Sequence, residues 1–320
     1  MWSVTTSSAS RWPPRNTGVA RVLLQDLLGL EGPGVELAQR RAGVRELGER
    51  RSQRLRARGL TYAESRPYQV GDDARSIDWR VTARSARTHT KLFEEEREQP
   101  VWLCVDLRQT MHFGTRAAFK SVHAAHVAAL LAWSAMAAGD RIGCLAWTPN
   151  GITALPPRRG RPALLAALGL LARAGLEALA TPAPESTGRI RATASALLES
   201  AGSRAQIYVL SDFVAFDEVA FTELTALGRR HRLAMLQVID PFEEAPPALN
   251  GAWAIDDGGQ PMRFDARTMS GRADSPVRLG ERLAGVAART GGHHCSARTT
   301  ESPAAVAARL LGAAGRPGNR

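Results

Sequence analysis

From Pro100 onward, short apolar runs alternate with longer amphipathic stretches. Val101-Trp-Leu-Cys-Val-Asp106 is apolar throughout and closes on a carboxylate, the pattern of a strand buried on both faces. Residues from about 115 to 138 are apolar on most sides and predict a central helix. Arg141–Thr148 reads as a second strand, and Asn150-Gly151 as a hairpin turn into Ile152–Leu155. A helix over Pro162–Ala174, a loop over 175–188 and a helix over Arg189–Ser200 follow. Ala205–Asp212 repeats the apolar run with a terminal carboxylate. Asp217–Arg230 predicts a helix and Arg232–Asp240 a strand. A small hairpin is expected from Trp253–Ile255 and Met262–Phe264. Pro276–Thr290 then reads as a helix, His293–Ser296 as an edge strand and Pro303–Ala313 as a final helix. The alternation implies an α/β fold: a doubly wound, mostly parallel sheet of Rossmann-like topology with one antiparallel strand. Ligands bind such sheets at the carboxyl ends of the strands, where Asp106 and Asp212 fall.

Upstream, residues 1–17 are rich in Ser, Thr and Pro and are expected to be a disordered tail. Residues 35–58 carry a helical pattern crowded with arginines between positions 40 and 58, read as a solvated face or a docking surface for an acidic partner. The 320 residues carry a net charge of +11, and Lys91 and Lys120 are the only lysines. That balance permits an acidic protein surface or a nucleic acid as partner. Nucleic acid is not expected, because the basic residues have no interleaved aromatic platform. Cys104, Cys144 and Cys295 lack metal or redox spacing, and the first two lie in apolar runs. The most apolar stretch, Ala124–Ala138, is shorter than a spanning helix needs, and no signal peptide is evident, so no membrane span and a cytoplasmic setting are expected.

The densest cluster of charge lies over residues 66–84, where Arg66, Tyr68, Gly71, Asp72, Asp73, Arg75, Asp78, Trp79, Arg80 and Arg84 crowd together. Carboxylates this close to arginines suggest a fixed network, because desolvated charges survive only when paired. The expectation is a half-buried or buried pair of Asp78 with Arg75 or Arg84, with Trp79 covering apolar surface. The pattern Arg-x-Tyr-x-x-Gly-Asp-Asp-x-Arg-x-Ile-Asp-Trp-x-x-x-Ala-Arg resembles the signature of the bacterial DUF 58 family and continues through Glu94–Glu96 to Asp106. The resemblance implies a family-specific segment over 18–99 and a von Willebrand factor A-like domain over 100–320 with C-terminal additions. It also implies a partner, a MoxR-type AAA+ ATPase in a chaperone-like or cofactor-insertion system. Many relatives are membrane-anchored, and this chain resembles a soluble version.

Von Willebrand A-like domains hold a divalent cation on Asp-x-Ser-x-Ser after the first strand, with a later Thr and Asp. Here that stretch is Asp106-Leu107-Arg108-Gln109-Thr110. Asp106, Thr110 and Asp212 match, Thr181 and Thr187 both lie in the loop where the intermediate Thr belongs, neither singled out by the sequence, and Arg108 stands where the first Ser belongs. A guanidinium repels Mg²⁺. Arg108 is therefore expected to pair with Asp106 or Asp212 and to weaken or replace Mg²⁺; helix capping by the two carboxylates is the plainer alternative.

Other chemistry is sparse. His123 and His126 share a helix face and read as buried, hydrogen-bonded residues, and His293-His294-Cys295 as a strand end. Neither a phosphate-binding loop nor a Gly-x-Ser-x-Gly elbow occurs. The expectation is a non-enzymatic protein-interaction module. Two alternatives stay open: a metal-dependent hydrolase or nuclease using Asp72, Asp73 and Asp78, and a nucleic-acid binder using the arginines of 40–58.

Overall fold

The computed structural model describes residues 12–13, 19–40, 60–69, 72, 77–85, 87–95, 100–180, 205–244, 252–255, 262–265 and 275–314. Contacts divide the chain into two compact units, Glu46–Glu98 and the remainder. The boundary differs from the expected 18–99. Helix α1 (Leu24–Leu28) and the helical residues 31–40 (α2) belong to the larger unit. Their apolar side chains explain this, since Val22, Leu27 and Leu37 join its core. Trp133 Nε1 donates to Leu27 O at 3.0 Å. Gly34 is required where α2 crosses Trp133, because a Cβ there would stand 2.3 Å from the Trp133 Cβ. Trp12 also departs from the expected disordered tail: its Nε1 donates to Thr299 O at 2.7 Å, and its ring meets His123 and His126 edge-on.

The smaller unit is an antiparallel pair, β1 (Leu60–Pro67) and β2 (His89–Glu95), joined through helix α3 (Trp79–Ser85).

The larger unit is built on a six-stranded sheet. Its elements are β3 (Pro100–Asp106), α4 (Lys120–Ala137), β4 (Arg141–Thr148), β5 (Gly151–Arg158), α5 (Gly160–Ala180) and β6 (Gln206–Ser211). The chain continues through α6 (Glu218–Arg230), β7 (Arg232–Ile239), α7 (Pro241–Glu244), and the small antiparallel pair β8 (Ala252–Ile255) and β9 (Met262–Asp265). It closes with α8 (Pro276–Thr290), β10 (His293–Arg298) and α9 (Pro303–Ala314). Strand order is β10-β7-β6-β3-β4-β5, all parallel except β5 at the edge. This is the doubly wound order with one antiparallel edge strand, and its switch point lies between β3 and β6.

Two apolar layers explain why β3 is buried at every position. Val101, Leu103 and Val105 point to a core shared with α4, α5 and α9; Trp102 and Cys104 point to one shared with α6 and α8. Helix α4 is buried from Lys120 to Ala135, as its all-round apolar sequence requires. Helix α6 begins where the Asp217 side chain accepts from Ala220 N, and α8 ends at Gly291 in the left-handed conformation.

Three expectations need correction. Helix α5 runs on to Ala180 through part of the expected loop, because Leu171, Ala174 and Ala178 continue its buried stripe. It is also long and apolar enough to cross a membrane by length and composition, which the reading of Ala124–Ala138 as the most apolar stretch overlooked. In this fold it packs on β4 and α4. Strand β5 extends over Pro156 and Pro157 to Arg158, a placement an edge strand tolerates. The expected helix over Arg189–Ser200 lies outside the described residues.

Candidate functional site

The carboxyl ends of β3 and β6 bring Asp106 and Asp212 to the switch point, and each carries its own cation. Asp106 caps the bend after β3: its Oδ1 accepts from Arg108 N at 3.0 Å. The Arg108 side chain folds back, donating from Nε to Oδ1 at 3.0 Å and from Nη2 to Oδ2 at 2.8 Å. Ser211, at the end of β6, donates to Asp106 Oδ2 at 2.6 Å. The guanidinium lies 3.8 Å over the Trp147 ring and donates to Val214 O at 3.2 Å. Arg108 is therefore held on a face and an edge at once, which suits a planar cation.

Asp212 is taken by a residue the sequence reading passed over. Lys120, at the start of α4, donates to Asp212 Oδ2 at 2.8 Å and to Glu243 Oε1 at 2.7 Å. Its side chain is 1% exposed, and that of Glu243 19%. The signal was legible: a lysine opening a helix that is otherwise apolar all round has to be buried, and a buried ammonium needs carboxylates. Glu243 is held from its other oxygen, which accepts from Asp240 N at 2.8 Å, a reciprocal cap at the start of α7. Asp240, at the end of β7, is also fully internal. It accepts from Thr115 N, Thr115 Oγ1, Thr299 Oγ1 and Phe242 N.

Electrostatics follow from this packing. Burial pulls the Lys120 ammonium down, but Asp212 and Glu243 together outweigh it and hold it above the ordinary lysine range. Burial lifts Asp212, yet Lys120, then Arg108, bring it below the usual carboxylate range. Glu243 ends raised: burial dominates, and the neighbouring Asp212 charge adds to it. The loop after β6 is strained as well as charged, since Phe213 and Ala215 adopt left-handed backbone at φ 59° and 63°. The Ser211 and Asp212 side chains accept from Phe213 N and Val214 N and hold that turn.

This donor set does not suit a divalent cation. Both carboxylates that would ligate it already hold a cation at hydrogen-bond distance, and a third positive centre would be repelled. Among the described residues no group of three or more His, Cys, Asp or Glu gathers in a way that could hold a metal. Thr110 sits half-buried in the turn Gln109–Met111; Thr181 and Thr187 lie outside the described residues.

The signature segment lies only partly within the described residues. Asp78 is buried, as expected, and caps α3: Oδ1 accepts from Arg80 N and Val81 N at 3.2 Å each, and Oδ2 from Ser65 Oγ at 2.9 Å. Arg66 pairs with Asp72 at 2.7 Å, and Asp72 also accepts from Gln69 N. Those bonds hold the Asp72 carboxyl below its usual range, the backbone bond first. Tyr68 OH donates to Asp72 O at 3.1 Å. Trp79, expected to cover apolar surface, is 71% exposed: the cap directs Val81 and Thr82 inward and leaves the first helical residue outside. Arg84 is exposed on the same helix. Gly71, Asp73 and Arg75 lie outside the described residues, as do positions 41–58 of the arginine-rich stretch.

His123 and His126 are buried and bonded to backbone carbonyls, Glu301 O at 3.0 Å and Val122 O at 2.8 Å. Burial pushes His123 down to about 4. Cys104 and Cys144 are buried thiols, raised by burial, and His293–Cys295 opens the edge strand β10.

A family model described as "Protein of unknown function DUF58" matches residues 64–274. Uncharacterized proteins of Mycobacterium tuberculosis and Mycobacterium bovis are each 31% identical over 190 residues, which cover 59% of this chain. The chain spans 58% of the length of those relatives. Among solved structures, BatB, a conserved hypothetical protein from Bacteroides thetaiotaomicron, is similar at 15% identity and a TM-score of 0.45, over 68% of this chain and 98% of that one. A von Willebrand factor type A protein from Catenulispora acidiphila gives 13% and 0.42, over 72% and 44%. An aerotolerance-related membrane protein from Bacteroides fragilis gives 12% and 0.44, over 68% and 98%.

Proposed function

This chain belongs to the DUF58 family, and we propose that it is a non-enzymatic protein-interaction module, an adaptor for a MoxR-type AAA+ ATPase in a chaperone-like or cofactor-insertion system of the cytosol. One observation carries the reading. Where this fold places its chemistry, Asp106 and Asp212 are neutralised by Arg108 and Lys120 of the same chain. A carboxylate so committed is neither a general base nor an open metal ligand. Of the suggested nuclease cluster, Asp72 is bonded to Arg66, and Asp78 holds the start of α3 and accepts from Ser65. What remains is a rigid sheet carrying loops on its carboxyl edge, a scaffold for binding. The family resemblance supplies the ATPase as the partner.

The test is co-expression with a MoxR-type ATPase encoded in the same genome. The reading expects a complex that survives chelation of divalent ions, and no nucleotide hydrolysis by this chain alone. Magnesium- or manganese-dependent phosphodiester cleavage, lost on Asp72→Ala or Asp78→Ala, would overturn it.

A further inference from the structure

Helix α3 carries a surface that the packing of its own unit does not use. At about 100° per residue, Trp79, Ala83, Arg80 and Arg84 occupy one continuous arc of roughly 140°, and all four are exposed. Arg87, in the bend just after α3, is exposed too. An indole 71% open to water is an uncommon use of the largest apolar side chain. Nor is it the frayed end of a loose helix. Asp78 caps α3, Asp78 N donates to His89 O at 2.8 Å, and His89 N donates to Thr82 Oγ1 at 3.0 Å. The inner residues tie the helix to β2, so the outer ones are presented on a fixed platform. Among the described residues no carboxylate pairs with the guanidinium of Arg80, Arg84 or Arg87.

We propose that this face of α3 is a docking surface for an acidic segment of a partner protein: the indole of Trp79 takes an apolar side chain, and Arg80, Arg84 and Arg87 take the flanking carboxylates. The inference rests on the interaction-module reading and names the surface and the chemistry of its partner. Trp and Arg are the residue types on which interface energy concentrates, and a rigid aromatic anchor orders little on binding. Guanidinium forks recognise carboxylates in a planar, paired geometry. A single-stranded nucleic acid fits the face less well, since it needs successive stacking platforms. Trp79 is the only aromatic residue of α3.

The experiment uses the full chain at low and moderate salt. Its probes are a fluorescein-labelled peptide rich in Glu and Leu, its Gln-for-Glu counterpart, and an oligo-dT strand of equal length, each followed by anisotropy. The native chain should bind the acidic peptide and not the Gln peptide. Trp79→Ala and the double variant Arg80→Glu, Arg84→Glu should each weaken binding about tenfold or more. Arg229→Glu with Arg230→Glu, the same charge change at exposed positions of the other unit, should leave it unaltered. Equal loss in that control would assign the binding to net charge and overturn the proposal. So would an absence of peptide binding by the native chain, or tighter, Trp79-dependent binding of oligo-dT. If the chain forms the ATPase complex and Trp79→Ala leaves that complex and peptide binding unchanged, this surface fails while the adaptor reading stands. If no complex forms at all, the adaptor reading itself fails.

Discussion

The chain contains two clusters of arginine, aspartate and tryptophan, and they use the same residue types in opposite ways. At the sheet edge, Arg108 stacks on Trp147 and closes on Asp106, with both charged side chains at most 4% exposed. On α3, Trp79 stands in water and Arg80 and Arg84 point outward, while the buried Asp78 serves the helix terminus. Composition and spacing do not distinguish the two. The difference is topological: the ends of parallel strands converge from several parts of the chain and can enclose a charge, whereas a single helix on a two-stranded hairpin has only one side to bury. The first cluster is enclosed on all sides; the second presents Trp79, Arg80 and Arg84 to water.

The contrast is broken most directly at Lys120. Lys120→Met keeps the stem and removes the charge, leaving Asp212 and Glu243 without their shared cation, and should lower the unfolding free energy by about 3–5 kcal/mol. Chemical denaturation measures it, and a loss below about 1 kcal/mol would mean the network contributes little. Arg108→Ser should follow at about 3 kcal/mol. It restores the hydroxyl spacing of a metal-binding loop, yet calorimetry should find no Mg²⁺ binding, because Lys120 still neutralises Asp212.

Acid should act on the larger unit through His123. His123 is buried and neutral, with Trp12, His126, Glu301 and Arg309 about it, and its pKa falls from 6.5 to about 4. A folded value below the unfolded one means that the unfolded chain binds more protons. The contribution is therefore complete above pH 6.5 and is lost as pH falls toward about 4. Up to about 2–3 kcal/mol is at stake, and His123→Gln should flatten the dependence of melting temperature on pH across that window.

Smaller effects belong to α3. Asp78→Ala removes a cap and a Ser65 partner, for which about 1–2 kcal/mol is expected by thermal melting. Trp79→Ala should change stability by less than about 0.5 kcal/mol, as removal of an exposed side chain does. A larger loss would show that the indole is covered and would return the segment to the structural role its sequence first suggested.

Much of the architecture was legible before any coordinate. Period and length distinguished strands from helices in 100–180 and 205–244, and two carboxylates fell at strand ends, where ligands bind such sheets. Arg108 was legible as well, because a guanidinium among would-be ligands has few places to go. Lys120 was not, although it stands alone at the head of an apolar helix; its carboxylates come from positions 212 and 243, too distant in sequence for spacing to reveal. Trp79 misled for the opposite reason, since an aromatic beside charges suggests burial when only one side of its helix has anything to pack against.

By itself, then, the sequence determined the order of elements, the two-layered burial of β3 and the positions of the strand-end carboxylates, all of which follow from local periodicity. Which cation meets which carboxylate, and which tryptophan is covered, only the tertiary structure decided. Pairing and burial depend on what distant segments bring to the same place, and no local pattern carries that information.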